Sequence, residues 1–128
     1  MFQPDTLLQY VGDVDVSVGF YAGIIGRPPV EHSPGFALFV FPGGRALGLW
    51  RRDAVQPTVY GNAGANELAT VVDSPAEVER VYQAWQSLGV VIAQAPVTLE
   101  FGHTFVGLDP DGHRLRVYSR SEDLPPRT

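Results

Sequence analysis

The sequence predicts an α+β fold built from two β-α-β-β-β modules, on three observations. Strand-like and helix-like runs follow one another in the same order twice along the 128 residues. Laying Gly107 to Tyr118 over Phe39 to Trp50, an offset of 68 residues, superposes Pro110 on Pro42, Gly112 on Gly44, Leu115 on Leu47 and Tyr118 on Trp50. Helix caps repeat too: Asp13 and Ser74 stand before the two helical runs, and Gly26 and Gly89 after them.

In chain order, Thr6 to Val11 reads as a first strand, ended by Gly12-Asp13. Ser17, Phe20, Tyr21, Ile24 and Ile25 recur at helical spacing, which predicts a helix over about 15 to 25. Pro28-Pro29 prevents its continuation, and Val30 to Ser33 is a short strand broken by Pro34-Gly35. Phe36 to Phe41 is apolar at every position and so is expected to be covered on both faces. Pro42-Gly43-Gly44 turns it into a return strand, Arg45 to Trp50.

Residues 52 to 66 carry Gly, Pro and Asn without periodicity and are read as a connection, between module one at about 5 to 51 and module two at about 67 to 120 of a single domain. The second module opens with the strand Glu67 to Val72. Ser74-Pro-Ala-Glu77 combines a capping box with proline at the first helical position. Val78, Val81, Tyr82, Trp85 and Leu88 mark one helix face, on which Trp85 with Val78 and Val81 is assigned to the core. Val90 to Ile92 and Val97 to Phe101 are read as short strands or their approaches, and the hairpin from Phe101 to Tyr118 completes the set. The tail, Ser121 to Thr128, is expected to fray.

Nine arginines, no lysine and fourteen acidic residues give a net charge of -5, with no basic cluster to neutralise a row of phosphates. Nucleic acid is therefore not an expected partner. The absence of cysteine removes thiolate metal sites and thiol catalysis. No Gly-x-Ser-x-Gly elbow and no dinucleotide fingerprint occur. Neither a signal-peptide pattern nor an apolar run of roughly 18 residues is present, so membrane association is not expected and a cytoplasmic location is the default.

The duplicated units, with Tyr10-Val-Gly-Asp-Val-Asp-x-Ser-x-x-Phe-Tyr21, Glu67-Leu-Ala-Thr-Val-Val-Asp73 and Phe101-Gly-His-Thr-Phe-x-x-x-Asp-Pro-Asp-Gly-His113, resemble the vicinal-oxygen-chelate superfamily of glyoxalases, ring-cleaving dioxygenases and bleomycin-resistance proteins. The last stretch, with Leu49-Trp50, is most similar to the phenazine-antibiotic-resistance branch. The resemblance implies curved mixed sheets around a cleft. It also implies a homodimer with two pockets at the subunit interface, to which both chains contribute.

Enzymes of the superfamily hold a divalent metal with His, Glu or Gln at four strand positions, which correspond here to Thr6, Gly48, Glu67 and Arg116. Only Glu67 can ligate, and Arg116 repels a cation; no metal, other cofactor or catalytic residue is assigned. Of the histidines, His32 and His113 are read as surface or turn residues, and His103 as a binding residue of the matched segment.

Strand alternation places Ala46 and Trp50 on the face of Gly48, Arg114 and Tyr118 on that of Arg116, Leu8 and Tyr10 on that of Thr6, and Ala69 on that of Glu67. The predicted ligand-binding set is Tyr10, Phe39, Gly48, Trp50, Tyr60, Glu67, Phe101, His103, Arg116 and Tyr118. Gly48 is expected to leave room for a flat group beside Trp50, Tyr60 to act as a lid, and an inward Arg116 to pair with Glu67. The function expected is metal-free sequestration of a planar aromatic antibiotic. The alternatives are a metal-dependent glyoxalase-like lyase or dioxygenase, and an accessory or sensor protein of an antibiotic biosynthetic cluster.

Overall fold

The computed structural model describes residues 1–127 and divides into two compact units, Met1–Gly61 and a second beginning at Asn62. The first contains β1 (Thr6–Val11), α1 (Val14–Ile25), β2 (Glu31–His32), β3 (Phe36–Val40) and β4 (Ala46–Arg51). Its sheet runs β1-β4-β3-β2, with β1 and β4 parallel and the other pairs antiparallel. The second contains β5 (Glu67–Val71), α2 (Pro75–Ser87), β6 (Val91–Leu99), β7 (Gly102–Leu108) and β8 (Arg114–Arg120), in the equivalent order β5-β8-β7-β6. The α+β class and the doubled β-α-β-β-β order are as the sequence predicts.

Capping sets both helices. The Asp13 carboxylate accepts the Val16 N–H at 3.1 Å, and the Ser74 hydroxyl accepts that of Glu77 at 3.2 Å. Gly26 closes α1 in the left-handed conformation, φ 87°. Each helix then covers one face of its own sheet. In unit one, Tyr21 of α1 meets Phe39 of β3 with centroids 6.5 Å apart, among fully buried Val11, Val14, Leu47 and Leu49. In unit two, Phe105 lies between Tyr82 and Trp85 of α2 at 5.3 and 5.1 Å, beside Val78 and Val117. Burying a ring of this size contributes about 1.5–3 kcal/mol before entropy is counted.

Three readings change. Residues 91 to 99 form one strand, whose register against β7 shifts between Ile92 and Gln94 and again between Gln94 and Val97. These irregularities let Pro96 stand in an edge strand, and they made the run look like two short pieces. A 3-10 turn, Arg52–Ala54, follows β4 where only irregular connection was expected. Residues 121 to 127 fold back on the second unit: Ser121 donates to the Phe101 carbonyl at 2.8 Å, and Arg127 to the Tyr118 hydroxyl at 3.1 Å, while Thr128 lies outside the described residues.

Candidate functional site

Each sheet has a face away from its helix, and the strand registers say which side chains share it. In unit one, Leu8 is level with Gly48, Tyr10 with Trp50, and Phe36 with Trp50 across the antiparallel pair. Trp50 and Tyr10 are half-buried and meet edge to face, centroids 6.3 Å apart and planes at 76°. The space left by the missing Gly48 side chain is already taken. A Cβ there would lie 2.6 Å from Leu8 Cδ2 and 3.0 Å from Phe36 Cζ. A flat group lying beside Trp50 therefore meets Leu8 and Phe36, and the expected empty volume at Gly48 is not there.

Unit two builds a different face. Arg116 Nε and Nη2 donate to the two oxygens of Glu67, both at 2.8 Å, in a fork-to-fork ion pair. A third nitrogen, Nη1, donates to the Thr104 hydroxyl at 3.1 Å, and Arg114 stands 3.9 Å from the same carboxylate. These hydrogen bonds and positive charges hold the Glu67 carboxyl below its ordinary range against the opposing effect of partial burial. The Arg116 guanidinium also lies 5.6 Å from the Phe101 ring centre, and Phe101 meets Tyr118 edge to face at 5.6 Å. Glu67, Phe101, Arg116 and Tyr118 line one open hollow of about 530 Å³. Its rim adds Arg120, Leu124 and Arg127.

Seven of the ten predicted residues thus fall in two groups, Tyr10, Gly48 and Trp50 in one unit and Glu67, Phe101, Arg116 and Tyr118 in the other. Three stand elsewhere. Phe39 is 1% exposed and packs under α1, because in a strand apolar on both faces the ring has gone to the helix side. His103 also points to the helix side, where its Nε2 is 3.2 Å from Glu79 and its Nδ1 2.9 Å from Thr98. Tyr60 is 91% exposed and lines neither group.

The other two histidines serve local structure. His32 meets Asp15 on the surface at 2.7 Å. His113 is buried rather than a surface residue, with its Nδ1 2.8 Å from Asp109. Asp109 accepts the N–H groups of Asp111 and His113 at 2.9 Å, so these three residues lock the β7–β8 turn. Leu8 stands on the Gly48 face, where strand alternation from Thr6 places it. Phe36 and the 121–127 segment are absent from the predicted set, the first because its strand is apolar on both faces, the second because nothing local marks it.

Comparison with known proteins places the chain. A profile of the glyoxalase/bleomycin resistance protein/dioxygenase superfamily matches residues 3–117. The chain belongs to that superfamily. It is 28% identical over 117 residues, covering 89% of each chain, to the phenazine antibiotic resistance protein EhpR of Enterobacter agglomerans. Among solved structures it resembles protein ATC0852 of Agrobacterium tumefaciens, with 43% identity and TM-score 0.87 over 94% of this chain and 99% of the other. A glyoxalase-related enzyme from Fulvimarina pelagi shares the fold at 22% identity, TM-score 0.82, over 94% and 89% of the two chains.

The superfamily's metal chemistry can be tested against the donor set. Glu67 has both oxygens engaged by a guanidinium, Arg116 carries a fixed positive charge, Gly48 offers no donor, and the Thr6 hydroxyl donates to Asp5 at 2.8 Å. These residues do not fit a divalent ion. No helix among the described residues is long and apolar enough to cross a membrane.

Proposed function

We propose that this superfamily member binds a planar aromatic small molecule of the antibiotic class and sequesters it without altering it. The observation that carries the reading is the Glu67–Arg116 pair: a ligand position of the enzymes is filled by a cation belonging to the chain, while Phe101 and Tyr118 remain on that sheet face and Tyr10 and Trp50 on its counterpart in unit one. The likeness to EhpR, a phenazine antibiotic resistance protein, supports it.

The physics suffices for such a task. A planar tricyclic losing on the order of 300 Å² of apolar surface gains about 7 kcal/mol gross. Ring contacts add about 0.5–1.5 kcal/mol each, and association costs remove a good part. Micromolar affinity, about -8 kcal/mol, follows where rings and polar groups act together. The reading includes a cytoplasmic protein working as a homodimer, which sedimentation equilibrium tests directly.

Calorimetric titration with phenazine should give saturable, stoichiometric binding, weakened at least tenfold in Trp50→Ala with the fold intact by circular dichroism. Binding undiminished in that variant refutes the role of Trp50. A stoichiometric divalent metal in elemental analysis of the purified protein would overturn sequestration in favour of the lyase or dioxygenase reading.

A further inference from the structure

The hollow of unit two holds more positive charge than its own acid can balance. Three of the chain's nine arginines, Arg116, Arg120 and Arg127, line it together with one carboxylate, Glu67, in a protein whose net charge is -5. Glu67 is committed to Arg116 through both oxygens and is also approached by Arg114. Arg120 and Arg127 form no ion pair among the described residues, although Glu122 and Asp123 lie between them in sequence. Arg127 instead donates to the Tyr118 hydroxyl, which ties its guanidinium to the edge of an aromatic ring at 3.1 Å.

Unpaired arginines on an open surface are ordinarily solvated, and singly they signify nothing. Here two converge on one hollow, beside the Phe101–Tyr118 ring pair and against the sign of the whole protein. Arg116 is less suited to the same purpose, since its charge is balanced by Glu67 and three of its five N–H donors go to Glu67 and Thr104. One guanidinium held at the Tyr118 hydroxyl and a second lining the same hollow suit a ligand that is aromatic at one end and carries a carboxylate at the other, because guanidinium and carboxylate match in geometry and charge-assisted hydrogen bonds are the stronger kind.

We propose that the hollow of unit two is an anion subsite, in which Arg120 and Arg127 hold the carboxylate of a planar aromatic acid whose ring lies against Phe101 and Tyr118. This assignment rests on the sequestration reading and narrows its ligand class from aromatic compounds to aromatic carboxylic acids. Neutral aromatics should bind through ring contacts alone, and more weakly.

The test compares phenazine-1-carboxylate with its uncharged amide, phenazine-1-carboxamide, by calorimetry on the full chain at neutral pH. The native protein should bind the acid about tenfold more tightly, with the preference shrinking as salt is raised from 50 to 300 mM, in the manner of a screened charge interaction. Arg120→Gln with Arg127→Gln should abolish the preference, by weakening the acid much more than the amide. The corresponding double substitution to lysine should restore part of it. Arg80→Gln, which removes an arginine paired with Glu77 on α2, should keep the full preference and serves as the charge control.

Equal native affinity for acid and amide overturns the subsite while leaving aromatic sequestration standing. A preference that survives the double glutamine substitution overturns the assignment to these two arginines. Failure of both phenazines to bind the native protein overturns the sequestration reading and the subsite together.

Discussion

Counterpart strands of the two units carry the same pleat with opposite contents. At the offset of 68 residues, Ala37 and Phe39 of β3 correspond to Phe105 and Gly107 of β7, and all four are buried. In unit one the strand's large ring stands at the second position and meets Tyr21; in unit two it stands at the first and meets Tyr82 and Trp85. The volume that Phe39 occupies has been given in unit two to the helix, since a Cβ on Gly107 would lie 2.9 Å from both Trp85 Cζ3 and Val90 Cγ1. The open faces contrast as sharply. Leu8, Phe36, Gly48 and Trp50 make an uncharged surface, whereas Ala69, Thr104, Arg116 and Tyr118 occupy the corresponding positions around the ion pair. One backbone plan therefore tolerates either partition of volume, and either polarity, provided each change is answered by a neighbour.

The largest expected effect tests the core half of this comparison. Phe105→Ala should cost about 3–5 kcal/mol in denaturant unfolding of the second unit. Adding Gly107→Phe copies the order of β3 into β7, yet should cost about 1–3 kcal/mol more, because Trp85 already fills that space. A double variant more stable than the single one would break the comparison.

Next in size is the polar half. Glu67→Gln leaves the half-buried Arg116 without its counter-charge and should cost roughly 1–2 kcal/mol at neutral pH, between the values for exposed and buried pairs. The counterpart change Thr6→Val should stay within about 0.5 kcal/mol. Because the folded carboxyl is held below its ordinary value of 4.5, the contribution is fully present above that value and is lost as pH falls through the depressed one. The melting temperatures of native protein and Glu67→Gln should accordingly converge in acid; a constant gap would refute the pairing as its source.

The smallest effect is expected at Gly48→Ala, about 1 kcal/mol, since the nearest atoms belong to the movable end of Leu8 and to the rim of the Phe36 ring. A crystal structure of the variant should show Leu8 displaced.

Much of this was legible in the chain itself. The turn glycines, the two caps and the helical spacing located both helices and the hairpins, because each is a local requirement of backbone geometry. The Glu67–Arg116 pair was legible as well, through the cost of leaving an inward guanidinium unpaired. Phe39 and Phe36 were not separable, for a strand apolar on both faces leaves period-two alternation with no polar residue to mark the outside. His103 was misplaced by its motif, although its even spacing from Phe105 and Phe101 leaves the motif silent on which face receives it. Leu124 and Arg127 reach the hollow only through a chain reversal held by contacts distant in sequence, and composition cannot report those.

The ion pair of unit two has one further consequence, in what the fold needs from its surroundings. A carboxylate that relies on a divalent ion for its countercharge is hostage to supply, and a chelator can strip it. Arg116 gives Glu67 a countercharge that is covalently part of the chain. Glu67 therefore needs no ion from the medium to balance its charge.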